Sequence, residues 1–316
     1  MMEIITAIVF FGVGLGLILF FAEQLVKAAV GTSVGFGVST FLISVVFIGF
    51  DPENLAVGAV AASEAVPGIA LGSIIGAAMV AIALAFGITA LVVPMRFDQV
   101  PSQILAVPIL AVLLLAGLAS DGRLSRLDGV ILLSGFVLAL LYLARLGRRG
   151  LDIRPSGEVA ETLERAETRG RWAPLALLLL SLAAIVAGSE LLVSGARTLL
   201  SRFGIAELPF GMTILAFLIS IEELARELPA AWRGRPEISF GNVVGSILAF
   251  FLCNGGVIAL VHPVVVERPV LLFYLPLAVL TTVIVSGVMW TTQVARWAGG
   301  LFVMLYAIFV IGGWLI

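Results

Sequence analysis

The chain has 316 residues, of which 61% are hydrophobic and 12% charged, with a formal net charge of −2; a soluble domain carries about twice that charged fraction. Together with a mean hydropathy of +1.19, this excludes an ordinary soluble enzyme, a disordered chain and a nucleic-acid binder with a basic face, and it leaves a polytopic membrane protein. A single cysteine, Cys253, and a single histidine, His262, exclude an intramolecular disulfide and a Cys- or His-rich metal site, so any cation chemistry rests on oxygen ligands, which suit Ca²⁺, Mg²⁺ or Na⁺.

A bilayer crossing takes about 20 apolar residues. Ten such spans follow one another: 4–27, 38–62, 68–93, 101–119, 127–146, 173–195, 207–231, 238–261, 269–290 and 296–315. Pro, Gly or charge marks each break, as at Pro67-Gly68, Pro94-Met95-Arg96, Asp121-Gly122-Arg123 and Gly234-Arg235-Pro236. The first span does not read as a signal peptide, because its leading residues carry Glu3 and no base.

The longest polar segment, 145–171, holds Arg145, Arg148, Arg149, Arg154, Arg165, Arg169 and Arg171 and separates five spans from five. The positive-inside rule puts it in the cytoplasm and both termini outside. Inner loops then collect those seven arginines with Lys27, Arg96, Arg233, Arg235 and Arg296; outer loops collect only Arg123, Arg126, Arg197, Arg202 and Arg268. The stretch Glu158–Arg169 reads as a solvated linker or as a short amphipathic helix on the inner surface.

The two halves match. Gly37-Val38-Ser39, Asp51-Pro52-Glu53-Asn54-Leu55-Ala56 and Gly72-Ser73-Ile74-Ile75-Gly76 align with Gly204-Ile205-Ala206, Ser220-Ile221-Glu222-Glu223-Leu224-Ala225 and Gly241-Asn242-Val243-Val244-Gly245. Asn54 precedes Gly72 by 18 residues, as Glu223 precedes Gly241, and a second glycine follows four residues on in both. A repeat of five spans inserts in opposite orientations in its two copies, the inverted-repeat plan of secondary transporters, whose sites lie where broken helices of both copies meet at mid-membrane. Asp51 and Glu53 in span two, and Glu222, Glu223, Arg226 and Glu227 in span seven, fall there. Charge at that depth has to face a partner, a cavity or an ion. Pro52 interrupts helical hydrogen bonding and is expected to free a backbone carbonyl near Asp51. Gly72, Gly76, Gly241 and Gly245 are expected to pack helices closely.

On these residues the chain resembles the Ca²⁺/cation antiporter superfamily, which includes Na⁺/Ca²⁺ and H⁺/Ca²⁺ exchangers, over almost its whole length. The family's Gly-Asn-x-x-Gly-Ser-Asn motif stands as Gly241-Asn242-Val243-Val244-Gly245-Ser246-Ile247 and, in part, as Gly72-Ser73-Ile74-Ile75-Gly76-Ala77-Ala78. Its Gly-Thr-Ser-x-Pro-Glu motif aligns with Gly49-Phe50-Asp51-Pro52-Glu53-Asn54 and Leu218-Ile219-Ser220-Ile221-Glu222-Glu223. The family's paired glutamates thus map onto Asn54 and Glu223, Glu53 and Glu222 replace its prolines, and its later Na⁺ ligands map onto Ala77, Ala81 and Phe250. The resemblance implies an all-α polytopic membrane protein of about ten helices in two inverted five-helix repeats: 1–146 (motif region 37–81) and 173–316 (motif region 204–250), joined by a cytoplasmic loop at 147–172.

The function it implies is secondary antiport of a divalent cation, Ca²⁺ first, against H⁺ or Na⁺ by alternating access at the plasma membrane, with spans one and six sliding past a rigid core. Asp51, Glu53, Asn54, Glu222 and Glu223 are the candidate cation ligands; Ser220, Arg226, Asn242 and Ser246 are second-rank polar contacts. The lost hydroxyls and gained acids favour proton over Na⁺ coupling. The expected partners are the lipid bilayer and inorganic cations, with no resident cofactor, nucleic acid or protein partner. Arg226 reads as an ion-pair partner of the adjacent glutamates, or as an internal cation in a former ion site whose transport is altered or lost. An intramembrane aspartyl protease needs a second central Asp, and no Ser-His or metal motif supports another enzyme class, so no enzymatic activity is expected. Glu23 and Glu190 face an access path or the interface; Asn254 lines a cavity or bridges helices; Cys253 is a core residue and His262 a loop residue; Trp172, Trp232, Trp290, Trp297 and Trp314 form interfacial belts.

Overall fold

The computed structural model describes residues 2–36, 51–97, 102–147 and 172–316, and these are mostly helical. The reason is solvent: in hydrocarbon every backbone polar group has to be satisfied within its own segment. In chain order the helices are α1 (Met2–Gly35), α2 (Pro52–Ser63), α3 (Pro67–Val92), α4 (Ser102–Ala119), α5 (Arg126–Gly147), α6 (Trp172–Phe203), α7 (Glu207–Ser220), α8 (Glu222–Trp232), α9 (Pro236–Val261), α10 (Val270–Trp290) and α11 (Arg296–Leu315). Among the described residues seven are long and apolar enough to cross a membrane, or eight if α7 and α8 form one bent span. Prolines at the first turns of α2, α3 and α9 start those helices where the missing N–H costs nothing.

Several boundaries differ from the sequence expectation. Span one runs to Gly35 rather than 27, and span six to Phe203 rather than 195. Lys27 pairs with Glu23 one turn away at the end of the expected first span, and Arg202, in the extension of α6, pairs with Glu3 near the start of α1. Span seven is not continuous. It breaks at Ile221 with a 49° bend, where an apolar run gives way to Glu222 and Glu223. The first part of span two, Gly37 in the matched motif, Gly49-Phe50, and the stretch Glu158–Arg169 lie outside the described residues.

α1 and α6 form an antiparallel pair. A Cβ on Gly14 would fall on Gly188 and Leu192, one on Gly195 on Ala7 and Phe11, and one on Gly31 against Pro174. The pair meets α2, and Phe11 reaches Phe210 of α7 with ring centroids 6.3 Å apart. α3 and α9 are buried through most of their length, which makes them the two central spans. Both contain π-helical turns, at Gly72–Gly76, Val80–Ala85 and Ala249–Asn254, and α7 has one at Phe210–Leu215; such turns gather at functional sites.

α3 and α7 touch backbone to backbone. A Cβ on Gly72 would fall on the backbone of Gly211, one on Gly211 on that of Gly68 and Ile69, and one on Gly76 on Met212 and Ala216. Gly241 has no atom within 4 Å of a built Cβ, so the close packing expected there is absent among the described residues. Two further crossings are repeat images. Gly87 of α3 packs on Gly299 of α11, and Gly256 of α9 packs on Gly129 of α5. Four short strands staple the connecting loops: β1 (Met95–Arg96) pairs antiparallel with β4 (Gln293–Val294), and β2 (Arg123–Leu124) with β3 (Val264–Val265).

Candidate functional site

The two helix starts nearest the centre carry the polar residues. Asp51 is the N-cap of α2: one carboxylate oxygen accepts the Asn54 backbone N–H at 3.0 Å, and the other accepts Asn54 Nδ2 at 2.9 Å. An acceptor side chain is favoured at this end of the helix, where the first backbone N–H groups lack partners. The Asp51 carbonyl accepts from Leu55 N at 3.3 Å. The Asp51 carbonyl is therefore occupied and Pro52 opens α2; the carbonyl of Ile48, four residues before Pro52, lies outside the described residues. Replacing the cap has a defined cost. Asp51→Ala is expected to lower stability by about 1–2 kcal/mol, whereas Asp51→Asn keeps an acceptor. Equal melting temperatures for Asp51→Ala and the parent in detergent would remove the cap from this account.

Asn54 carries the site across the interface. Its Nδ2 also donates to Ser220 Oγ at 2.8 Å, at the end of α7. On the far side of the Ile221 break, Glu223 is fully buried, with Oε2 accepting from Asn242 Nδ2 at 2.6 Å and Oε1 from Ser246 Oγ at 3.5 Å. The same Asn242 nitrogen donates to Glu227 Oε1 at 2.9 Å, and Ser239 Oγ donates to the Glu227 carbonyl.

Arg226 lies among the acids. It pairs with Glu222 one turn back, stands 3.7 Å from Glu223 Oε1 and reaches 4.0 Å from Glu53 Oε1 on α2. The structure thus brings together Asp51, Asn54 and Ser220 in one hydrogen-bonded group, and Glu223, Asn242 and Ser246 in another. Arg226 links the second group to Glu53 and Glu222. Among the described residues no three acidic, cysteine or histidine side chains already form a metal cage. Glu53, Glu222 and Glu223 instead converge on the Arg226 guanidinium.

Within this cluster, four buried oxygens have no hydrogen-bond donor among the described residues: both of Glu53, Oδ1 of Asn54 and Oε2 of Glu227. Leaving such acceptors unmet in low dielectric costs a few kcal/mol each. The positions aligned with the later Na⁺ ligands, Ala77, Ala81 and Phe250, are buried and apolar. Glu227 is not among the candidate ligands that the sequence singles out. Its spacing of four from Glu223 was the available signal, since it puts both acids on one helix face.

The outlying candidates fall elsewhere. Glu23 and Glu190 are exposed, as is His262, whose Nδ1 contacts the Pro263 carbonyl. Asn254 is buried with an unmet Nδ2. All five tryptophans are exposed on the outside of the helices, and Trp314 Nε1 also donates to Thr213 Oγ1 at 3.1 Å. A contact that sequence reasoning missed ties the halves at the start of α7: Glu207 Oε1 accepts from Gly68 N of α3 at 2.6 Å.

Comparison with known proteins agrees with this architecture. The family described as sodium/calcium exchanger protein matches residues 6–145 and 173–314. CaxA of Alkalimonas amylolytica, named as an antiporter candidate, is 30% identical over 270 residues, 83% of either chain. Inner membrane protein YrbG of Escherichia coli K12 is 31% identical over 260 residues, 79% of this chain and 78% of that one. The solved structure of the sodium-calcium exchanger NCX_Mj, soaked with Na⁺ and Sr²⁺, superposes with a TM-score of 0.63 at 27% identity and covers 98% of both chains. Two matched blocks on either side of 146–172, over apolar helices in an exchanger architecture, make this an integral membrane protein that belongs to the sodium/calcium exchanger family.

Proposed function

We propose that the protein is a secondary active antiporter that exchanges a divalent cation, Ca²⁺ first, against H⁺ or Na⁺ by alternating access. The observation that carries this reading is the hydrogen bond from Asn54 to Ser220 between two helix ends, flanked by buried acids with unmet oxygens. Asp51, Glu53, Asn54, Glu222 and Glu223 line the site, with Ser220, Asn242 and Ser246 as supporting contacts. Ca²⁺ suits it because that ion takes six to eight oxygens in flexible geometry. The replacement of hydroxyls by acids favours H⁺ as the counter-ion. Membership of an exchanger family weighs against the reading that transport has been lost.

The same reading takes the chain as ten crossings in two inverted repeats, 1–146 and 173–316, around a cytoplasmic loop at 147–172. The termini then face outward at the plasma membrane. Strand pairing supports this count. β1 and β4 lie on one side and β2 and β3 on one side, so an even number of crossings separates each pair, as ten spans require. The images Gly87–Gly299 and Gly129–Gly256 support the repeat, and the antiparallel α1–α6 pair supports its inversion. These two helices are the elements that slide. The partners are the lipid bilayer and inorganic cations, with no resident cofactor.

Flux into proteoliposomes tests the function. With an outward proton gradient in Na⁺-free medium, Ca²⁺ is expected to enter as protons leave, and collapse of the gradient should stop net uptake. Absence of Ca²⁺ flux under both proton and Na⁺ gradients would sink the reading.

A further inference from the structure

Arg226 is the one base among five acids at this centre: Asp51, Glu53, Glu222, Glu223 and Glu227. Its grip on them is uneven. It pairs closely with Glu222, but stands at 3.7 Å from Glu223 and 4.0 Å from Glu53. Glu223 and Glu53 are fully buried, whereas the side chains of Arg226 and Glu222 are 23% and 25% exposed. The tight pair therefore sits at the open edge of the cluster and the loose contacts lie at its buried floor. Glu53 has no hydrogen bond to either oxygen, so Arg226 is the only cation the structure puts within ion-pair distance of it among the described residues.

A guanidinium held this way does part of a bound ion's work. It offsets charge on two helices, α2 and α8, that a cation would otherwise have to bridge. Uncompensated carboxylates in such a place are strongly destabilising, so some positive charge has to be present at every stage of a transport cycle. Here the fork of Arg226 meets one carboxylate closely and stands 3.7 and 4.0 Å from the other two, whereas a metal ion, with its higher charge density, can draw several oxygens in at once.

We propose that Arg226 is a tethered rival of the transported cation: its guanidinium bridges Glu53, Glu222 and Glu223 when the site is empty, and an incoming cation displaces it from Glu53 and Glu223 while Glu222 retains it at the exposed edge. This regulates the site described above and rests on those acids being a cation site. Two consequences follow. The empty carrier is held together without a counter-ion, and cation affinity is set by competition with a side chain.

The test uses the full-length protein purified in detergent, with Ca²⁺ and, separately, Na⁺ titrated against thermal stability. Arg226→Gln is expected to lower the apparent melting temperature without cation and to shift the Ca²⁺ midpoint to about tenfold lower concentration or further. Arg226→Lys, which keeps a charge on a flexible stem, is expected to titrate close to the parent. A lower melting temperature with an unchanged or higher midpoint would overturn the proposal, because a purely structural ion pair behaves that way. Recovery of folded Arg226→Gln only when Ca²⁺ is present throughout purification would support it. Should that variant not be recovered at all, Arg226→Gln/Glu222→Gln compared with Glu222→Gln alone carries the same comparison with the charges balanced. An equal midpoint for those two would likewise overturn it. Failure of the exchange reading is a separate result: it appears as absent flux in the parent, whereas this inference stands or falls on the ratio of midpoints. If no cation stabilises parent or variants, both fall.

Discussion

Glu223→Gln is expected to weaken cation-dependent stabilisation by about a hundredfold and to abolish exchange while leaving the protein folded. The fold should survive because the amide has the shape of the acid: its oxygen in the Oε2 position still accepts from Asn242, and its NH₂ in the Oε1 position can donate to Ser246 Oγ, the two groups that contact Glu223 at 2.6 and 3.5 Å. Arg226 keeps Glu222 and Glu53. What disappears is one formal charge at a fully buried point, and affinity in oxygen-ligand sites follows the number of charged ligands. The effect is measured as the Ca²⁺ midpoint in thermal titrations and as initial flux in proteoliposomes. Glu237→Gln, at an exposed acid 3.7 Å from Arg235, serves as the control and should titrate like the parent. A Glu223→Gln protein with a parental midpoint would remove Glu223 from the site.

Gly211→Val should be the most damaging substitution in the frame. A Cβ at residue 211 would run into the backbone of Gly68 and Ile69, and residue 211 in turn occupies the place of a side chain at Gly72. Backbone atoms of two central helices cannot give way as a rotamer can. Separating α3 from α7 would also strain the hydrogen bond from Gly68 N to Glu207 and carry Ser220 away from Asn54. A cost of about 4 kcal/mol or more is expected, the range reserved for such clashes, seen as failure to recover monodisperse protein or a collapse of the melting temperature. Gly12→Ala on the exposed face of α1, with nothing within 4 Å, should be tolerated. A normally folded Gly211→Val protein would show that the contact is looser than its backbone geometry implies.

The features that came through from sequence are those set by chain chemistry alone. Apolar runs such as 68–93 and 238–261 became α3 and α9 within two residues, because lipid leaves a continuous helix as the only solution. Glu53, Asn54, Glu222 and Glu223 met near the centre as their matched spacing required. What stayed hidden depends on neighbours distant in the chain. Nothing at Ile221 marks a break, since neither Pro nor Gly stands there; it arises where Ser220 engages Asn54 and Glu222 engages Arg226. Pro52 fits either a kink in a long helix or the first turn of a new one, and Asp51 decides between them by capping. The reach of Arg226 to Glu53 joins α8 to α2, a juxtaposition that helical spacing within one span cannot foretell.

The two strand pairs bear on how the molecule is made. β1 lies in the first matched block and β4 in the second, and β2 and β3 are divided in the same way. Gly87 likewise waits for Gly299, and Gly129 for Gly256. During synthesis, then, the helices from the first block enter the bilayer with their stapling edges and glycine faces still vacant. They acquire partners only as α9, the β3 and β4 loops and α11 emerge. The halves are interlocked rather than set side by side, so a fragment ending at residue 146 should linger as an open assembly intermediate, dependent on membrane chaperones or on a separately supplied second block to close.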